Sequence, residues 1–201
     1  MSYIPPNNFS PVERRLYRSA SPLPMSFPFL KLLGIKTIIW LASEDPNDLV
    51  LDFVDDNDIR LEHLGLLTEG IKPWDPIHTS TVQEALELII DLDNHPVLMC
   101  CGMGRHRTGA VVGCLRKLQG WSFASLVDEY QRFTGLKSER SNVELMVENF
   151  DLTAIIAKLL ERKSQGLPLP PWLQWRLGRL EVEAAPAQPG NPTAPSEPTA
   201  Q

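Results

Sequence analysis

A cysteine and an arginine six positions apart, with glycines between them, have the makings of a phosphate trap. The segment Cys101-Gly102-Met103-Gly104-Arg105-His106-Arg107-Thr108-Gly109 has this pattern. Its glycines let successive backbone amides converge on one point, and a helix beginning directly behind them adds partial positive charge. Arg107 offers a planar fork that can hold two phosphate oxygens. The same field favours the thiolate of Cys101. A thiolate can attack phosphorus and form a phosphocysteine. The competing reading is a buried structural cysteine beside a basic helix start. The flanking sequence favours the phosphate site, because an apolar run precedes the segment and an amphipathic pattern follows it.

The surrounding elements must present this loop. Val97–Cys100 reads as a buried strand, and 107–119 as a helix with Val111, Val112, Leu115 and Leu118 on its apolar side. Thr37–Leu41 and Ile59–Leu64 read as further strands, and Leu16–Ser19 as a short edge strand. Helices are predicted over Pro28–Leu33 (closed by Gly34), Asp48–Asp56 (burying Leu49, Phe53 and Val54), Ser80–Leu92, Ser122–Phe133, Asn142–Phe150 and 153–163. Strands separated by helices predict an α/β fold, with a small central sheet flanked by helices.

Composition narrows the function classes. The chain has 201 residues, 43% apolar and 22% charged, with a net charge of −6. That balance disfavours a nucleic-acid binder. The apolar runs are too short for a membrane span, and the N-terminus lacks a signal-peptide pattern. Three cysteines, two of them adjacent, make no disulfide framework, so a reducing compartment, the cytoplasm, is expected. No His/Cys/Asp set has metal-ligand spacing, and no cofactor is expected. The 18 prolines concentrate at the two ends. Residues 1–165 read as the catalytic domain with an extended N-terminal segment. Residues 166–180, with Trp172, Leu173, Trp175 and Leu177, read as an amphipathic piece after a proline-rich hinge. Residues 181–201, rich in Pro and Ala, read as a disordered tail.

The loop also carries a family resemblance. Cys-x5-Arg followed by Thr resembles the signature of protein tyrosine and dual-specificity phosphatases. Pro5–Ser10, Tyr17-Arg18-Ser19, Phe27–Leu30, Gly104–Gly109 and Val112–Gln119 are similar to the atypical dual-specificity phosphatases of plants and fungi. They resemble in particular the fungal branch linked to oxidant-induced cell-cycle arrest. The resemblance covers about residues 5–152. It implies a dual-specificity-phosphatase-like domain that needs no metal, with Cys101 as nucleophile and Arg107 as the phosphate ligand. Backbone amides of 102–107, from Gly102, Met103, Gly104, Arg105 and His106 onward, would form the cradle. Thr108 would hydrogen-bond the sulfur as it leaves; its other reading is a helix-start threonine that satisfies a backbone amide. Asp75 is the candidate general acid, with Glu69 as the other choice and a turn residue as the plain reading. Lys137 and Arg140 are candidate outer cations, or a solvated helix start.

Two positions depart from the family. Cys100 stands where a histidine usually precedes the nucleophile, and Gly102-Met103 replace residues that are often basic. Cys100 is therefore a candidate partner to trap an oxidised Cys101, with Cys114 as the alternative. Three classes follow. The first is a phosphatase whose partner is a phosphorylated substrate, either a phosphotyrosine protein or an inositol pyrophosphate. The second is a weak or inactive member serving as a subunit or phosphate sensor, with related family members in a complex. The third is a sulfur-transfer or arsenate-type cysteine enzyme, disfavoured by the extent of the phosphatase resemblance.

Overall fold

In a computed structural model, which describes residues 3–66, 77–135 and 141–184, one five-stranded sheet carries the chain. The strands are β1 (Ser10–Glu13), β2 (Leu16–Ala20), β3 (Thr37–Trp40), β4 (Arg60–His63) and β5 (Val97–Cys101), in the spatial order β1-β2-β5-β3-β4. Only β1 is antiparallel to its neighbour; β2, β5, β3 and β4 run parallel. Eight α-helices surround the sheet among the described residues: α1 (Phe27–Leu33), α2 (Asp48–Asp56), α3 (Thr79–Ile90), α4 (His106–Leu118), α5 (Phe123–Thr134), α6 (Ser141–Asn149), α7 (Thr153–Ser164) and α8 (Pro171–Ala184). None of the described helices is long and apolar enough to cross a membrane.

The central strands are the most apolar stretches. Every residue of β3 and β5 is buried, as a parallel sheet covered on both faces requires. Paired residues in register share a face. Tyr17, Leu98 and Ile38 form one row, and Arg18, Met99 and Ile39 the opposite one. The Tyr17 face lies under Phe9, which stacks on Tyr17 and meets Phe29 of α1 edge-on. Phe27 of α1 in turn stacks on Phe53 of α2 at 4.3 Å. Helix α4 covers the other face and buries Val111, Val112, Cys114, Leu115 and Leu118.

Two expectations are corrected here. Leu16–Ser19 is not an edge strand, because β1 pairs outside it. Pro11 obscured β1 in the sequence, although an edge strand tolerates a proline. In α2, Val50, Phe53 and Val54 are buried and Leu49 is 56% exposed. Positions 50, 53 and 54 follow the i, i+3, i+4 spacing of one helical face, and 49 falls beside it. The helix starts at Asn47, whose side-chain oxygen accepts from the Val50 amide at 3.0 Å.

Helix α4 is tied down along its length. Gly109 and Gly113 let α5 and α6 approach: a methyl group at these positions would lie 2.7 Å from the Tyr130 ring and 2.9 Å from Val147. Arg116 is buried and bonded to Glu129 of α5, Glu13 and the Val12 carbonyl of β1, and Gln119. Helix α8 buries Leu173 and Leu177 in the main core and leaves Trp175 56% exposed. It runs to Ala184, past the boundary expected at residue 180.

Candidate phosphate-binding site

Cys101 closes β5, so its side chain stands at the C-terminal edge of the parallel sheet, where open α/β folds bind ligands. Strand and helix are joined by only four residues, and the geometry of that turn is demanding. Gly104 has φ +66°, and a Cβ there would sit 2.4 Å from the Ser19 carbonyl carbon and 2.5 Å from the Ala20 nitrogen. Only glycine fits, because the loop lies directly on the backbone of β2. Gly102, in contrast, has open space around it. The Gly104 amide donates to the Cys101 carbonyl at 3.1 Å. One of the amides expected to form a cradle is thus engaged within the loop itself.

Cys101, Gly102, Met103, Arg105, His106 and Arg107 line one hollow of about 180 Å³, together with Ala42, Ser43 and Glu44 from the segment that follows β3. Arg107 is half-buried, and its Nη1 donates to the Leu41 carbonyl at 3.2 Å. His106 shares a 2.7 Å hydrogen bond between Nδ1 and the Tyr130 hydroxyl. Arg105 is exposed and, with Gly102 and Met103, also borders a second hollow of about 370 Å³ lined by Asn7, Asn8, Ala20 and Phe133. Thr108 is fully buried at the start of α4, and its hydroxyl has no hydrogen-bond partner among the described residues. It makes neither of the contacts weighed from the sequence. Asp75, Glu69, Lys137 and Arg140 lie outside the described residues.

The two spare cysteines are placed away from the chemistry. Strand alternation turns Cys100 to the face opposite Cys101, beside Ser19 and Trp40. Burial, and then the charge of Cys101, push its thiol well above the usual range. Cys114 lies eight residues into α4, about 12 Å along the helix axis, and burial pushes its thiol up to about 12. All three thiols are free. The expectation that Cys100 or Cys114 would trap an oxidised Cys101 is not met by this geometry, because a disulfide needs facing Cβ atoms.

Three residues whose roles the sequence reading missed support the site. Arg18 is 1% exposed, and its Nη2 donates to the Gly104 carbonyl at 2.9 Å. The Asn8 side-chain amide donates to the carbonyls of Met103, Gly104 and Phe133. Glu44 brings a carboxylate to the hollow, and Trp40 Nε1 holds its backbone carbonyl at 2.8 Å. Hydrogen bonds from its own amide and the Ser43 hydroxyl keep the Glu44 carboxyl below its ordinary range, with a further contribution from the Arg107 charge. Glu44 follows a parallel strand's C-terminal end, and that position was the available signal.

Comparison with known proteins agrees with the geometry. Residues 3–167 match the model of the tyrosine phosphatase family. The tyrosine-protein phosphatase OCA1 homologue of Yarrowia lipolytica is 56% identical over 153 residues, 76% of this chain and 60% of the relative. The chain thus spans less than two thirds of that relative's length. The Scheffersomyces stipitis homologue of the same name is 48% identical over 165 residues, 76% of this chain and 78% of the relative. Among solved structures, the core catalytic domain of the PP-IP phosphatase SIW14 from S. cerevisiae, in complex with citrate, superposes with a TM-score of 0.72 at 36% identity, covering 84% of this chain and 99% of that one. With a family match over most of its length and a nucleophile loop seated at the sheet edge, the chain belongs to the tyrosine phosphatase family, in its fungal OCA1 branch.

Proposed function

We propose that the chain is a cysteine-dependent phosphatase acting through a phosphocysteine intermediate. The observation that carries this reading is the shared hollow, in which Cys101 and Arg107 meet behind a turn that only Gly104 can make. In the first step the Cys101 sulfur attacks phosphorus, the S–P bond forms, and the bond to the leaving oxygen breaks. Arg107, with Gly102, Met103, Arg105 and His106 around it, holds the phosphoryl oxygens as charge builds on them. Water then attacks phosphorus and the sulfur departs. The Thr108 hydroxyl, which has no hydrogen-bond partner among the described residues, is suited to donate to that sulfur, which gives the buried group a use.

Of the two substrate classes, phosphoanhydrides such as an inositol pyrophosphate are the proposed choice over phosphotyrosine proteins. A phosphoanhydride leaving group is acidic enough to depart without a proton, so it needs none from Glu44, whose carboxyl lies below its ordinary range. The likeness to a PP-IP phosphatase supports the same choice. Asp75 is the proposed acid for poorer leaving groups, and Lys137 and Arg140 are the proposed outer cations. The free thiols support a cytoplasmic location.

Phosphate release from an inositol pyrophosphate and from a phosphotyrosine peptide tests the proposal. Cys101→Ser is expected to lose roughly a thousandfold or more in rate on the preferred substrate. The second reading, a phosphate sensor or subunit working with related family members, is favoured by Cys100 in place of the usual histidine. Binding without any Cys101-dependent turnover would establish that reading instead.

A further inference from the structure

A buried cation lies beneath the nucleophile loop. Arg18 and Cys101 are diagonal neighbours on the same face of the sheet, since Arg18 pairs with Met99 and Ala20 with Cys101. The first turn of α4 closes over the guanidinium: a Cβ on Gly109 would be 3.8 Å from Nη2. Phe133 of α5 covers it from the side, with its ring centre 3.6 Å from Cζ. Only Nη2 is hydrogen-bonded, to Gly104; Nε and Nη1 have no hydrogen-bond partner among the described residues. Burying a charge with so few partners is costly, and the Phe133 face offsets only part of that cost. A neutral glutamine could satisfy one carbonyl, so the hydrogen bond alone does not account for a buried charge here.

We propose that Arg18 is an electrostatic positioning residue for the nucleophile, stabilising the Cys101 thiolate from beneath while it holds the loop through Gly104. This rests on the reading of Cys101 as nucleophile. The other titratable groups near Cys101 act differently. Arg105, His106 and Arg107 on its own loop line the open hollow, where water screens them and a bound phosphate engages them. Glu44 opposes the thiolate from the segment that follows β3, and Cys100 faces away as a neutral thiol. On α5, Glu129 and Tyr130 attract the Arg18 charge, and Arg116 on α4 repels it. Arg18 is sealed from solvent in a medium of low dielectric, where a charge acts at greater strength. Burial lowers its pKa to about 10, and the Cys101 charge pulls the other way. It is therefore protonated throughout the working range and coupled to the sulfur.

The test follows the rate of Cys101 alkylation by iodoacetamide against pH in wild type, Arg18→Gln and Arg18→Lys. Alkylation needs no turnover, so the result stands apart from the phosphatase assay and from its failure. Arg18→Gln is expected to raise the alkylation midpoint by about 1–3 pH units. Arg18→Lys, which keeps the charge and loses the fork, is expected to stay within about half a unit of wild type. A midpoint unchanged in folded Arg18→Gln overturns the proposal. If Arg18→Gln lacks the native near-ultraviolet circular dichroism, Arg18→Lys decides alone: a rise of about one unit or more would assign the effect to loop geometry and overturn it.

Discussion

At the residue scale, the two loop glycines should differ sharply when substituted. Gly104→Ala forces a Cβ into the backbone of Ser19 and Ala20 from a positive φ, whereas Gly102→Ala enters open space. Gly104→Ala is expected to cost about 1–3 kcal/mol or more in stability and to abolish phosphate release. Gly102→Ala should stay within about 0.5 kcal/mol of wild type. Urea unfolding beside a turnover assay checks both, and equal losses would mean the loop does not lie on β2. Cys101 and Arg107, which line the same hollow, could be read together in the sequence because they fall in one short run whose spacing the proposed chemistry dictates. Arg18, Asn8 and Glu44 could not, because each reaches the site from a different part of the chain. Asn8 meets Met103 across 95 positions, and no local periodicity encodes a contact of that span.

At the element scale, the pattern of apolar residues located β3, β5, α2, α3 and α4 to within about two residues. It failed where a proline sat in an edge strand, and where burial in α2 turned on a rotation of one position. Helix α8 was readable as amphipathic, but its target was not, since a docking face is set by tertiary packing. The structure places Leu173 and Leu177 in the main core. Leu173→Ala is therefore expected to destabilise the whole domain by about 2–5 kcal/mol, seen as a lower urea midpoint in a single transition. A separate early transition for α8, or a loss below about 1 kcal/mol, would show that the helix is an appendage.

At the scale of the whole molecule, the buried thiols set an alkaline limit on stability. Cys114 is raised to about 12 in the folded chain, while an unfolded cysteine titrates near 8.5. Below about pH 8.5 the thiol is neutral in both states and its contribution is fully present. As pH rises from there towards 12, the unfolded chain releases the proton and the folded chain does not. Stability then falls by about 1.4 kcal/mol per pH unit for each such thiol, and Cys100 has the same sign. Cys114→Ala should show a shallower alkaline decline in unfolding free energy than wild type. An identical slope would mean that the thiol is not sealed.

The strut from Asn8 and Arg18 to the loop carbonyls has a consequence for inheritance. The signature 101–109 is not a self-contained module, since its shape is completed by residues more than eighty positions upstream. Grafted alone onto another strand–helix junction, it would leave the Gly104 carbonyl unpinned and lose the surface against which the turn is formed. The transferable unit is the pair of segments together, so a sequence carrying the signature without a matching N-terminal strand should be judged a different device.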